Sequence, residues 1–217
     1  MRLRRNPEAK QMILNHPQVV LDPTQLRGSW RSLFGNDHPL YLELGTGKGQ
    51  FLSRAHNQYP DINWIGVERI EEVLLQALQK SNPLEHPPSS IHNLRFLWMD
   101  VKDLGEAFDP GEVDRIHLHF SDPWPKKRHQ KRRLTYRSFL AIYRQVLKQD
   151  GYLQLKTDNE HLFDFSLEEL PNHGFHIVEQ TRDLYETPLV KENIPTEYEE
   201  KFTAQGMPIY FLRAQPR

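Results

Sequence analysis

Leu42-Glu43-Leu44-Gly45-Thr46-Gly47-Lys48-Gly49-Gln50 closes one apolar run and opens another of different period. Residues 39–44 are short and apolar, as a buried strand is, and residues 50–58 carry the spacing of a helix. Glycines at 45, 47 and 49 let the intervening backbone turn sharply and pass close to a ligand. Strand, glycine turn and helix open a βαβ unit, and the chain repeats the alternation downstream. Strands are expected over 63–67, 94–99, 113–120, 152–155, 175–181 and 209–213, and helices over 71–79, 135–148 and 160–170. The first of these helices places Val73, Leu74, Ala77 and Leu78 on one face. The second buries Phe139, Leu140, Tyr143, Val146 and Leu147, with Gly151 as its C-terminal stop. The pattern is that of an α/β fold with a mostly parallel, seven-stranded sheet covered by helices on both faces. Residues 1–38, broken by Pro, Asn and Asp, read as an N-terminal arm with one or two short helices, and 39–217 as a single domain.

Composition sets bounds on function. The 217 residues suffice for one domain with a sizeable core. Net charge is -1, so a polyanionic partner can be met only by local clustering of cations. There is no cysteine, which excludes disulfides, thiolate nucleophiles and Cys-type zinc sites. Arg2, Arg4 and Arg5 make a basic start with no apolar segment behind it, and no apolar run reaches bilayer length. The expected setting is cytoplasmic, without a membrane partner. Glu85-His86-Pro87-Pro88-Ser89-Ser90 reads as a surface loop.

In open α/β sheets the ligand lies outside the carboxyl ends of the strands. Those ends carry Glu43, Glu68, Asp100, Asp122 and Asp158. At the glycine turn, Gln50 stands where the dinucleotide fingerprint wants Gly or Ala. Leu42 and Gly49 break the phosphate-cradling G-x-x-x-x-G-K-(S/T) pattern. Glu43 would repel a pyrophosphate but suits a ligand with a cationic centre and an ammonium group. S-adenosylmethionine has both. Glu68 can accept from both ribose hydroxyls, and Asp100 from the adenine amino group with Val101 beside the ring.

A second motif runs His119-Phe120-Ser121-Asp122-Pro123-Trp124-Pro125-Lys126-Lys127-Arg128-His129-Gln130-Lys131-Arg132-Arg133. Pro123 restricts Asp122, and Pro125 restricts Trp124, to extended backbone, so the turn is expected to be rigid. Aspartate accepts well from the ring N–H and amino group of a purine, and an indole can stack on a base. Six cations within residues 126–133 suit phosphate contacts. A flat polar group carried on a polyanion, a nucleobase in a nucleic acid, fits both halves of the motif. Methyl transfer from a sulfonium to a ring nitrogen without a proton needs positioning and charge, not a strong base. His117 and His119 share a strand face but have no third ligand at a useful spacing, so no metal is expected. Ser121 lacks the G-x-S-x-G elbow of a hydrolase.

Phe120-Ser121-Asp122-Pro123-Trp124-Pro125-Lys126-Lys127-Arg128-His129 followed by Lys131-Arg132-Arg133-Leu134 closely resembles the signature of bacterial tRNA (guanine-N7-)-methyltransferases of the TrmB type. The likeness extends to the glycine turn, to Gly66-Val67-Glu68, to Lys156-Thr157-Asp158-Asn159 and to Thr196-Glu197-Tyr198-Glu199. It implies a Rossmann-like class I methyltransferase fold, S-adenosylmethionine as donor, and N7 of the variable-loop guanosine, position 46, of tRNA as acceptor. By matching motifs it implies that Glu43, Gly45, Gly47, Glu68, Asp100 and Asp122 bind the donor, with Asp122 also catalytic. Lys126, Asp158, Thr196, Glu197, Tyr198 and Glu199 would contact substrate. Arg128, His129, Gln130, Lys131, Arg132 and Arg133 would touch RNA. His119 departs from the Asn expected in many relatives. The resemblance accommodates a monomer or a homodimer.

Two other classes compete. An RNA-binding module of the same fold without turnover would have no need of the four carboxylates Glu43, Glu68, Asp100 and Asp122. A nicotinamide oxidoreductase would want a smaller residue than Gln50.

Overall fold

Strands β2 (Leu40–Leu44) and β3 (Asn63–Glu68) are buried at every position. That is the condition of parallel strands covered on both faces, and it explains their mostly apolar character, with Glu43 and Glu68 towards their carboxyl ends. The computed structural model describes residues 6–81 and 92–217. The expected 85–90 loop and Arg2, Arg4 and Arg5 lie outside them. The chain forms two units, Met1–Phe108 and Asp109–Arg217.

In the first unit β1 (Val19–Val20) pairs with β4 (Leu94–Trp98), β4 with β3 and β3 with β2, all parallel. The register sets Glu43 opposite Gly66 and Glu68 opposite Trp98, so the carboxyl ends of these strands lie together. Helices α1 (Ala9–Leu14), α2 (Trp30–Phe34), α3 (Gln50–Gln58), α4 (Glu71–Ser81) and α5 (Leu104–Ala107) complete it. Two glycines allow the packing. A Cβ on Gly66 would lie 2.6 Å from Leu52 Cδ1, so its absence lets α3 settle on the sheet. A Cβ on Gly49 would lie 2.7 Å from Ala77 Cα, so α3 can start against α4. The short helix α2 is anchored by Trp30, which stacks on Phe108 with ring centroids 5.0 Å apart and donates its indole N–H to the Ala107 carbonyl at 2.9 Å.

In the second unit β5 (Val113–His119) pairs in parallel with β6 (Leu147–Thr157). Strand β8 (Tyr210–Pro216) runs antiparallel between β6 and β7 (Phe175–Thr181). The helices are α6 (Arg137–Val146), α7 (Glu160–Asn172) and α8 (Glu197–Thr203). Among the described residues there are eight strands, one more than the seven expected; the addition is the two-residue β1.

The expected helix 135–148 is shorter than its apolar stripe suggests. It ends at Val146, and Leu147 begins β6 by pairing with Val113. The next pair is Arg115 with Tyr152, so β6 bulges by several residues between them. Gly151 sits in that irregularity, where a Cβ would lie 2.8 Å from the Asp114 carbonyl oxygen. Its role is close backbone approach, not the stop of a helix. Lys148 pairs with Asp114 across the same gap. No helix among the described residues is long and apolar enough to cross a membrane.

Candidate functional site

The glycine turn of the first unit is tied to the neighbouring strand. Gly45, at φ 73°, donates its N–H to the Val67 carbonyl at 2.8 Å, and Thr46 donates to the same oxygen at 3.3 Å. Gly49, at φ 76°, caps α3 and donates to Thr46 at 3.0 Å. Gly47 lies between them at φ 54°, and a Cβ there would meet nothing within 4 Å. The backbone at Gly47 is therefore left-handed and faces open space, as a surface for a closely approaching ligand must.

Three carboxylates end the parallel strands around this turn. Glu43 is buried in β2. Glu68 ends β3 and accepts from the N–H groups of Arg69 at 2.9 Å and Ile70 at 3.0 Å. Burial raises its pKa, and backbone N–H groups of Ile70, Arg69 and Gly47 oppose the rise. The Glu68 carboxylate is thus shared between its own strand end and the glycine turn. Asp100, just past β4, is half-buried and accepts from the Lys102 N–H at 3.1 Å, with Val101 buried beside it. The backbone joins these ends, since Met99 donates to the Glu68 carbonyl at 3.2 Å. The structure brings Glu43, Gly45, Gly47, Glu68 and Asp100 to one sheet edge.

The acidic-aromatic turn belongs to the second unit. Asp122 is exposed. Trp124 does not take the extended conformation expected before Pro125; its φ is 42°. Phe120 is also left-handed, at φ 50°. Such conformations are costly for bulky residues and persist only where surrounding contacts hold them. Arg133 supplies those contacts for Trp124. Its guanidinium donates to the Pro123 carbonyl at 2.9 Å and to the Trp124 carbonyl at 3.2 Å. The same guanidinium lies 4.4 Å from the Phe165 ring centre, and the residue is only 8% exposed. The indole itself is covered by Arg132 at 4.8 Å and met edge-on by His129 at 5.8 Å. The rest of the cationic run forms a 3-10 helix, Lys127–Arg132. Lys126, Lys127, Arg128, Lys131 and Arg132 are exposed, and His129 and Gln130 are half-buried. Arg133 stands apart from its neighbours by pointing inward.

Thr196-Glu197-Tyr198-Glu199 opens α8 as a capping box. Thr196 accepts from the Glu199 N–H at 3.0 Å, and the Glu199 carboxylate accepts from the Thr196 N–H at 3.3 Å. That carboxylate is fully buried. It takes the Lys156 ammonium at 2.6 Å, the Tyr185 hydroxyl at 3.0 Å and the Asn193 amide. Tyr185's pKa is pushed up, first by burial and then by the negative charge of Glu199, so it stays a donor. Lys156, equally buried, also donates to Asn193 Oδ1 and the Ile194 carbonyl, both at 2.9 Å. Tyr198 is 47% exposed. Asp158 is half-buried, and burial raises its pKa. Asn159 after it caps α7 by accepting from the Leu162 N–H at 2.9 Å. The T-x-x-E spacing at 196–199 was a legible sign of α8. Lys156 and Phe120 gave no such sign, because a lysine reads as solvated and a backbone angle is not written in residue type.

His117 and His119 lie side by side on β5, ring centroids 5.3 Å apart. Both are buried, and burial pushes their pKa values well below the ordinary histidine range, with Lys156 adding to it.

A parallel sheet whose strand ends carry a glycine turn and carboxylates fits a methyltransferase. The Methyltransf_4 methyltransferase family model matches residues 37–212. A solved antibiotic-related methyltransferase shares the fold over 91% of this chain and 95% of its own, with a TM-score of 0.64 at 18% identity. The fold is thus the α/β, Rossmann-like fold of methyltransferases. At higher identity stand two curated proteins named tRNA (guanine-N(7)-)-methyltransferase. That of Lachnoclostridium phytofermentans is 48% identical over 99% of this chain and 98% of its own length. That of Geobacillus kaustophilus is 49% identical over 99% and 96%. This chain belongs to the tRNA (guanine-N7-)-methyltransferase family.

Proposed function

We propose that the protein transfers the methyl group of S-adenosylmethionine to N7 of the variable-loop guanosine, position 46, of tRNA, in the cytoplasm. The observation that carries this reading is the sheet edge of the first unit: an open, left-handed Gly47 flanked by the buried carboxylate of Glu68. A nucleoside with a cationic centre fits it. Glu43 would hold the ammonium group, Glu68 the ribose hydroxyls and Asp100 the adenine amino group. Gly45 and Gly47 allow the backbone to approach. When bound, the donor supplies an electrophilic methyl group.

The residues of the second unit serve the acceptor. Asp122 would accept from the ring N–H and amino group of guanine and hold N7 in line. Guanine N7 carries no proton, so no general base is required, and the fixed charge of Asp122 stabilises the positive charge that develops on the ring. Arg133 holds the turn that presents it. Lys126, Asp158, Glu197 and Tyr198 would meet the substrate. Thr196 and Glu199 would act by fixing α8, since the Thr196 hydroxyl caps it and the Glu199 carboxylate is taken up by Lys156, Tyr185 and Asn193. The exposed cations of 126–132 would pair with phosphate.

Incubation with methyl-labelled donor and unmodified tRNA, followed by borohydride and aniline cleavage, tests the reading. Cleavage at the variable loop is expected. Binding of donor and tRNA without transfer would instead favour an RNA-binding role.

A further inference from the structure

Three aromatic rings of the second unit meet beside the Asp122 turn. Phe120 lies 6.3 Å from Tyr198 and 5.9 Å from Phe202, and Tyr198 and Phe202 are 6.4 Å apart. Phe120 and Tyr198 are inclined by only 28°, and Tyr198 and Phe202 by 25°. Phe120 and Phe202 pack against the buried Leu184, Ile209 and Phe211, so the inner side of the cluster is filled. Tyr198 closes the cluster outward and keeps 47% of its surface open.

Placement of this ring is held from two directions. Phe120 takes a left-handed φ of 50°, and its N–H is fixed by the Lys156 carbonyl at 2.9 Å. It stands two residues before Asp122, which keeps the two within ~7 Å along the backbone. On the other side, α8 has seven residues, too few to be helical alone. The side chain of the same Lys156 holds it through Glu199, Asn193 and Ile194. Two buried charges are a poor source of stability compared with apolar packing, but this pair and its hydrogen bonds tie β6 to α8. Lys156 thus acts as a positioning residue, joining the approach to Asp122 with the helix that carries Tyr198.

We propose that Tyr198, which keeps nearly half of its surface open, supplies the stacking surface for the target purine, and that its π-electrons stabilise the charge the purine acquires on alkylation. This rests on the functional reading above. In that reaction the N7 lone pair forms the new N–C bond. The C–S pair leaves with sulfur, and the positive charge passes to the purine without movement of a proton. A cation forming over an aromatic face is attracted by the ring quadrupole, and more strongly where water is excluded. The stack is therefore tighter in the transition state than in the ground state, which raises kcat.

Tyr198→Phe, Tyr198→Leu and Tyr198→Ala separate ring from bulk at an exposed position. With tRNA transcript as substrate, Tyr198→Phe should keep kcat/KM within about threefold, while Leu and Ala should lose roughly ten- to hundredfold, part of it in kcat. Calorimetry should find donor affinity unchanged in all three. A stem-loop RNA with 2-aminopurine at the target position should be quenched by the wild-type protein and by Tyr198→Phe, and not by Tyr198→Leu. Normal kcat in Tyr198→Leu, or quenching retained by it, overturns the proposal. Should the wild-type protein bind RNA without transferring methyl, the functional reading fails, and the fluorescence decides the stacking on its own.

Discussion

Lys156 and Glu199 form an ion pair closed to water: ammonium and carboxylate are 2.6 Å apart and neither side chain has any exposed surface. Forty-three residues separate them in the chain. The pair joins strand β6 to helix α8, and so joins the scaffold to a segment that would face the substrate.

Breaking the pair should be expensive. Lys156→Met leaves a buried carboxylate without its counter-charge, and about 3–5 kcal/mol of stability should be lost. Adding Glu199→Leu removes the uncompensated charge and should restore much of that loss, although α8 loses half of its capping box. Urea midpoints of the wild-type, single and double variants check this. A double variant no more stable than Lys156→Met would mean that the pair's other hydrogen bonds, not its charges, hold the segment.

The cationic run should divide by function. Lys127, Arg128 and Lys131 changed together to Ala should flatten the dependence of log K on log salt for tRNA binding by about 2 to 3 units, from three phosphate contacts. Arg133→Ala should leave that slope alone, because its donors are spent on the Pro123 and Trp124 carbonyls. It should instead release the turn and lower turnover. A slope that shifts by about one unit in Arg133→Ala would return this residue to the RNA-binding face.

Asp122→Asn keeps the shape of an exposed side chain and removes its charge. Turnover should drop by at least about a hundredfold, as for loss of a group that stabilises developing charge, with only a modest fall in donor affinity. Single-turnover rates beside calorimetric donor binding make the comparison. Unchanged turnover would remove Asp122 from the chemistry.

Acid should destabilise the fold through His117 and His119. Burial keeps both neutral in the folded state, with folded pKa values well below 6.5, whereas the unfolded chain protonates them near that pH. The unfolded state then binds more protons, and stability falls as pH drops below about 6.5, by up to about 1.4 kcal/mol per pH unit per histidine. Glu68, with its raised pKa, acts oppositely at lower pH, where the folded state binds the extra proton. Melting temperatures between pH 7 and 5.5 should therefore fall less in His119→Asn than in the wild-type protein. An identical pH profile would show that His119 does not contribute.

Much of the α/β frame was legible because apolar periodicity is local. Helix α3 spans 50–58 and β7 spans 175–181 as their spacing predicts, and the acidic strand ends Glu43, Glu68 and Asp100 fall at one sheet edge. The helix before β6 was less legible. Its apolar stripe runs on into Leu147, and nothing in residue type tells a helical Leu from the first residue of a strand once both are buried. Trp124 misled for another reason: the preference of a residue before proline is a bias of the isolated chain, and Arg133 overrides it through two hydrogen bonds.

Residue order by itself determined the alternation of strand and helix, the glycine turn at 45–49 and the clustering of cations after Asp122, since each depends on neighbours a few positions apart. Tertiary structure alone decided which charges face water. Lys156, Glu199 and Arg133 carry the same side chains as their solvated counterparts, and their burial follows from acceptors and donors elsewhere in the fold: Asn193 and Ile194 for Lys156, Tyr185 for Glu199, and the carbonyls of Pro123 and Trp124 for Arg133. A charge leaves water only where partners have been assembled to receive it, and that assembly exists only once the chain has folded.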